Sequence, residues 1–314
     1  MPSQRAVVTG GAGFIGANLV DRLIDDGADV LVVDDLSSGM VSRLSSARKR
    51  GNLTFHQMDI RAEELENLIV GYSPDTVFHL AAQIDVRVSV AEPSRDADIN
   101  IVGTINVIET AIAADVERLV FASSGGATFG ETTKLPTPES VRRRPESPYG
   151  VSKGVADAYL DYYHRKAGLE YVSLGFANVY GPKQDPHGEA GVVAIFAADL
   201  LAGRTPTIYG DGGQTRDFVF VEDVADALLR AASVGGDRYF NVGTGTETTV
   251  VDLYWMIAAA AGVDNEPMFA PARPGEQERS CLDASAATKA LGWEPWTPLD
   301  QGIQTTVDWF AANR

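Results

Sequence analysis

Six short runs of apolar and β-branched residues punctuate the first half of the chain: Ala6 to Thr9, Asp29 to Val33, Leu53 to Met58, Thr76 to Leu80, Arg118 to Ala122 and Tyr171 to Phe176. Stretches with helical spacing of apolar positions lie between most of them. Strands that are apolar almost throughout are buried on both faces, and intervening helices cover a parallel sheet from both sides through right-handed crossovers. The pattern predicts an α/β, doubly wound parallel sheet. After about Asn178 the rhythm breaks into Gly/Pro-rich connections around a helical segment, Val192 to Ala202, which predicts a smaller α+β unit. Asp217 to Val221, Ala225 to Ala232 and Tyr239 to Val242 then read as strand, helix and strand returning to the sheet. The tail adds helices at Val250 to Ala261 and Leu299 to Ala312. The expected division is a first domain over 1–177, joined by roughly 217–243, and a second over 178–216 and 244–314.

A chain of 314 residues with 45% hydrophobic content can bury a core of that size. Its formal charge of −17 argues against nucleic acid or an anionic membrane as partner, so an anionic ligand must be met by local cations. The single cysteine, Cys281, cannot close an internal disulfide, and four histidines without paired spacing predict no metal site. No apolar run approaches the roughly 20 residues of a membrane span, and MPSQRAVVTGG enters a strand at once, leaving no room for a signal peptide. The expected compartment is cytoplasmic.

Thr9 to Gly16 joins the first strand to a helix expected at Ala17 to Asp26, in the glycine spacing G-x-x-G-x-x-G. Gly10 suits the tight turn, Gly13 lets a pyrophosphate approach the backbone, and Gly16 lets helix and strand pack closely. Phe14, Ile15 and Gly16 complete the loop before a helix whose N-terminus faces the phosphates, and count with it as cofactor contacts. This is the cradle of a Rossmann dinucleotide site. Asp34, ending the second strand, can accept from an adenosine ribose and would repel a 2′-phosphate, which favours NAD over NADP; its alternative is a solvated turn with Asp35. Asp59-Ile60 falls where the adenine should lie, unless Asp59 only caps a helix.

Ser147-Pro148-Tyr149-Gly150-Val151-Ser152-Lys153 carries an N-cap serine and a first-turn proline, so a helix starts here with Tyr149 in its first turn. Lys153, four residues on, shares its face. The lysine charge, the helix dipole and an oxidised nicotinamide would favour the tyrosine phenolate, a base able to take an alcohol proton while hydride leaves the same carbon.

These features resemble the extended short-chain dehydrogenase/reductase family, and the remaining motifs are similar to its nucleotide-sugar epimerases over nearly the whole chain. They are His79-Leu80-Ala81-Ala82, Asn100-Ile101-Val102-Gly103-Thr104, Ser123-Ser124-Gly125-Gly126, Asn178-Val179-Tyr180-Gly181-Pro182 and Arg216-Asp217-Phe218. The resemblance implies that Leu80, Ala81, Ala82 and Asn100 line NAD, and that Asn178 and Arg216 contact a substrate diphosphate. A guanidinium fork suits that phosphate role, although Arg216 could instead pair with Asp217. It further implies a diphosphate contact from Arg273, a uridine-ribose contact from Glu276, and Val192 and Val193 against the uracil. A homodimer through two helices of the nucleotide domain is expected.

Two positions depart from the family pattern. Gly125 stands where a Ser or Thr normally polarises the sugar oxygen, which leaves Ser124 as its substitute or as a hydroxyl satisfying backbone at the strand end. Gly175 stands where many relatives carry a basic residue. The implied reaction is redox-neutral 4-epimerisation of a UDP-sugar, glucose to galactose, through a 4-keto intermediate. UDP-glucuronate and UDP-N-acetylglucosamine stay open, because the residue that gates the sugar pocket in the family is here the small Ser280. A dehydratase or decarboxylase needs a further acid or base where Gly126 and Ala127 stand. A non-catalytic NAD sensor would need no Tyr/Lys pair.

Overall fold

The computed structural model describes residues 4–187, 191–234, 237–273 and 277–313. The six expected strands form at their expected positions as β1 (Arg5–Thr9), β2 (Asp29–Asp34), β3 (Leu53–Gln57), β4 (Thr76–His79), β5 (Arg118–Ser124) and β6 (Tyr171–Phe176). Helices α1 (Phe14–Asp25), α2 (Ser45–Arg50), α3 (Glu64–Tyr72), α4 (Val86–Ala91), α5 (Pro93–Ala97), α6 (Gly103–Ala113), α7 (Gly125–Phe129) and α8 (Pro148–Ala167) connect them. A turn of π-helix, Asp98–Val102, leads into α6. Beyond β6 the chain runs through β7 (Asn178–Tyr180), α9 (Val192–Leu201), β8 (Thr207–Tyr209), β9 (Thr215–Arg216), β10 (Phe218–Phe220), α10 (Val221–Ala231), β11 (Asp237–Val242), β12 (Thr248–Thr249), α11 (Val250–Ala261), β13 (Met268–Ala270), α12 (Ser285–Leu291) and α13 (Leu299–Ala312).

Seven of these strands make one parallel sheet in the order β11-β6-β5-β4-β1-β2-β3. Only the second strand of the expected strand-helix-strand unit joins it. β10 pairs instead with β7, outside the sheet, because Tyr180, Phe218 and Phe220 on these two strands pack into the core of the smaller unit. Strand periodicity explains why the apolar runs are continuous. Val30 and Val32 enter one core with α1 and α10, whereas Leu31 and Val33 enter the other with α3, α6 and α8. A third core, built by α9, α11 and α13 around Tyr180, Phe218 and Phe220, belongs to the smaller α+β unit.

The strand order reverses between β1 and β4, so their loops leave in opposite directions and a crevice opens at the carboxyl edge, the place where such sheets bind ligands. The C-terminal segment is fixed to the sheet through Trp293. Its indole is fully buried, with Nε1 donating to the Asp223 carbonyl of α10 at 2.8 Å, and the Asp223 carboxylate accepts from the Thr297 hydroxyl at 2.8 Å. Truncation of Trp293 to alanine should cost about 3–5 kcal/mol in urea unfolding, from the cavity and the orphaned carbonyl. A loss below about 1 kcal/mol would show that this anchor is not what holds the tail.

Candidate active site

The glycine loop is shaped by two approaches that leave no room for a side chain. Gly10 has φ of 71°, and a Cβ there would lie 2.6 Å from the Ala81 amide; a Cβ on Gly16 would lie 2.2 Å from the Gly10 carbonyl oxygen. Gly13 differs. Its φ is −74°, a conformation open to any residue, and the one atom near a Cβ is the Gly10 oxygen at 3.1 Å. Gly13 is also the N-cap of α1 and offers no side-chain acceptor, so the helix dipole at Phe14, Ile15 and Gly16 is left for an outside anion. The helix starts at Phe14, three residues before the expected Ala17.

Asp34 closes β2 with 6% of its surface exposed. Its carboxylate accepts from the amides of Ala12 and Leu36, each at 2.9 Å, and burial pushes its pKa up against these two bonds. It therefore holds the glycine loop to the end of β2. Asp35 turns outward, its carboxylate taken by the Ser37 amide and hydroxyl. Asp59 accepts from the Arg61 amide at 2.8 Å, and the Arg61 guanidinium holds its carboxyl below the usual range. Ile60 is buried under Gly103.

Leu80, Ala81 and Ala82 are half-buried and line the other wall, after β4. Their position depends on a hydrogen-bonded chain through the fully buried His79. Thr104 Oγ1 donates to the Asn100 carbonyl at 2.7 Å, so it must accept from His79 Nε2 at 3.0 Å; His79 Nδ1 then accepts from Thr9 Oγ1 at 2.7 Å. Burial and the nearby Lys153 charge lower the imidazole to about 3, which keeps it neutral in this tautomer. The Asn100 amide clasps Gln83 at both its N–H and its carbonyl, 2.8 Å each, so Asn100 acts on the loop that lines the crevice. Sequence reasoning missed this chain, although Thr9 and His79 are register partners ending β1 and β4.

Tyr149 lies in the first turn of α8, where Ser147 Oγ caps the Gly150 amide at 3.1 Å. Lys153, 4% exposed, donates from Nζ to the Ala122 carbonyl of β5 at 2.9 Å and sits 6.0 Å from the Tyr149 ring centre. Burial pulls its pKa down to about 8, opposed by the buried carboxylates Asp157 and Asp96. Ser124 ends β5 and caps α7, its Oγ accepting weakly from the Ala127 amide at 3.3 Å; as an acceptor there it still has a proton to give. A Cβ at position 125 would sit 2.4 Å from a terminal methyl of Leu282 and 3.1 Å from the Gly175 carbonyl oxygen, so a side chain there requires Leu282 to shift.

On the far side of the cleft Asn178 is exposed on β7. Arg216 is half-buried on β9, with Nη1 donating to the Thr215 carbonyl at 2.8 Å. Asp217 turns inward to the Thr244 amide and hydroxyl and to the Gly245 and Leu282 amides. Arg273 is exposed and stacks 3.7 Å over the Tyr209 ring, a posture that keeps a guanidinium extended. Val192 keeps open surface at the start of α9, whereas the Val193 side chain is 1% exposed within the third core. Glu276 lies outside the described residues.

A family model described as GDP-mannose 4,6 dehydratase matches residues 7–306. The chain belongs to this family, within the extended short-chain dehydrogenases/reductases. Among family members, a UDP-glucose 4-epimerase of Mycolicibacterium smegmatis is 48% identical over 98% of both chains. A UDP-glucose 4-epimerase of Thermotoga maritima, solved with UDP-glucose, superposes with TM-score 0.94 at 45% identity, covering 98% of this chain and 99% of that one. A UDP-glucose 4-epimerase of Thermus thermophilus, solved with NAD, gives 0.90 at 42% over 98% of each.

Lys153 supplies a test of the site's electrostatics in this family member. Its folded pKa lies below the unfolded value, so protonated Lys153 opposes folding below about pH 8, and the penalty disappears as pH rises through the unfolded value of 10.5. Lys153→Met should therefore gain on the native protein by about 3 kcal/mol between pH 10.5 and pH 7. A pH-independent gap in denaturant unfolding would contradict the buried charge.

Proposed function

We propose that the protein is an NAD-dependent epimerase that inverts C4 of a UDP-sugar, interconverting UDP-glucose and UDP-galactose. The observation that carries this reading is the Tyr149/Lys153 pair, anchored on Ala122 at the carboxyl edge beside the uncapped glycine-loop helix. Sequence identity of 48% to a relative bearing the UDP-glucose 4-epimerase name supports the reaction type.

The crevice fits the dinucleotide: an open approach at Gly13, an anion-seeking helix start, and a carboxylate at the ribose position. Gly10, Gly13, Phe14, Ile15 and Gly16 would hold its pyrophosphate, Asp34 and Asp35 its ribose side, Asp59 and Ile60 its adenine. Leu80, Ala81, Ala82, Asn100, Tyr149 and Lys153 would hold the nicotinamide half. Bound there, NAD would supply reversible hydride transfer at the sugar carbon. Tyr149 takes the proton of the 4-hydroxyl, Lys153 keeps that phenolate stabilised, and Ser124 donates to the sugar oxygen as it becomes a ketone. Asn178, Arg216 and Arg273 would grip the diphosphate, while Glu276 and Val192 at the start of α9 would receive the uridine; Val193, expected beside it, is spent on the third core. Firm binding of the part that does not react lets the 4-keto sugar turn over between hydride loss and return. The segments 178–216 and 244–314 would thus serve as the sugar-nucleotide domain and 1–177 with roughly 217–243 as the NAD domain.

The sugar pocket supports a second reading. Ser280 packs close to Gly126, where a Cβ would lie 3.2 Å from its Oγ, and a serine at this position takes less room than a larger residue would against the substituents of UDP-N-acetylglucosamine or UDP-glucuronate. Exposed Val102, Val151, Tyr159 and Tyr162, at the start of α6 and along the adjacent α8, favour a homodimer through these helices. No helix among the described residues is long and apolar enough to cross a membrane, and we assign the enzyme to the cytoplasm.

Incubated with UDP-galactose and no added reductant, the protein should form UDP-glucose; Tyr149→Phe should reduce turnover by about 10²-fold or more while NAD still binds. Near-normal turnover in that variant would remove Tyr149 as the base. Loss of water or carbon dioxide from the sugar would replace epimerisation with lyase chemistry.

A further inference from the structure

The end of β5 is gripped from α8 at two successive residues. Lys153 Nζ holds the Ala122 carbonyl at 2.9 Å, and one helical turn later the Asp157 carboxylate accepts from Ser123 Oγ at 3.1 Å. Ser124 comes next. The same carboxylate, 11% exposed, accepts from Ser173 Oγ on β6 at 2.5 Å and from Arg143 Nη1 at 2.5 Å. Arg143 arrives from the segment before α8 and lies 4.0 Å over the ring of Tyr239, on β11. That ring fills the space over Gly175, where a Cβ would be 1.8 Å from the Tyr239 hydroxyl. The missing basic residue on β6 is thus matched by a cation delivered from another part of the chain into the same layer.

We propose that Arg143 and Asp157 form a positioning pair that clamps β5 to α8 and so fixes the Ser124 hydroxyl relative to the Lys153 ammonium. Neither residue touches substrate. Asp157 needs a counter-charge because it is buried beside three strands, and Arg143 supplies it with a fork held flat by the Tyr239 ring. The charged groups around Lys153 are Asp157 on its own helix and Asp96 on α5; His79 on β4 is neutral, and Tyr149 shares its helix face. Removing one member of the pair therefore exposes Lys153 to one uncompensated charge, of opposite sign in the two cases.

The inference rests on the proposed epimerase reaction for its kinetic readout alone. The lysine Cε signals, from six lysines in the chain, are titrated by NMR in the NAD-loaded protein, with Lys153 assigned from Lys153→Arg. Asp157→Asn should lower the Lys153 midpoint and Arg143→Met should raise it, each by about one pH unit, with the double variant near the native value. Arg143→Lys, which keeps the charge, should leave the midpoint in place and provides the comparison if Asp157→Asn does not fold. In epimerisation the two single variants should lose about tenfold or more in kcat with KM little changed, since the uridine diphosphate contacts lie elsewhere. Midpoints that move together, or do not move while Tm falls, would reduce the pair to structural packing. If no UDP-sugar is turned over by the native protein, the reaction reading fails and the midpoints alone decide on the pair.

Discussion

The carboxyl edge of the sheet depends on how closely the loop after β1 passes the loop after β4. With Gly10 in the left-handed region and no Cβ, the turn comes within van der Waals range of the Ala81 backbone, and the two walls of the crevice are set against each other. Asp34 ties the same loop to β2 through Ala12, and the Thr9–His79–Thr104 chain ties β1 to β4 and α6. The cradle is thereby formed by the chain's own backbone. Its open helix start has no competing side chain, which suits it to an anion.

Much of the architecture was legible because two-sided burial leaves continuous apolar runs that few other folds produce. All six early strands, α11 and α13 fall at the positions the pattern predicts. β10 misled because Phe218 to Phe220 is as apolar as a sheet strand yet serves the third core, and one-dimensional patterning does not distinguish which core a buried strand feeds. The small sheets and α12 carry too few residues for any period to emerge.

Within the site, motif spacing picked out the candidate contact residues and missed those that hold them. Tyr149 and Lys153 share a helix face, so their relation is local. Asn100 reads as a contact residue by position, whereas its amide is spent on Gln83, seventeen residues away. Arg143, Asp157, Ser123, Ser173 and Tyr239 come from five separate stretches and meet only after the sheet is assembled. Gly175, unexplained as a sequence departure, becomes intelligible once the Tyr239 ring is seen over it.

Gly125 has a counterpart of the same kind in Leu282, which comes from the far end of the chain beside Ser280. The two positions are sterically coupled: a side chain at 125 meets the terminal methyl groups of Leu282, so it is admitted only as far as that leucine can turn aside or be replaced by something smaller. Transplanting the motif at 125 without regard to 282 would therefore import half of a contact.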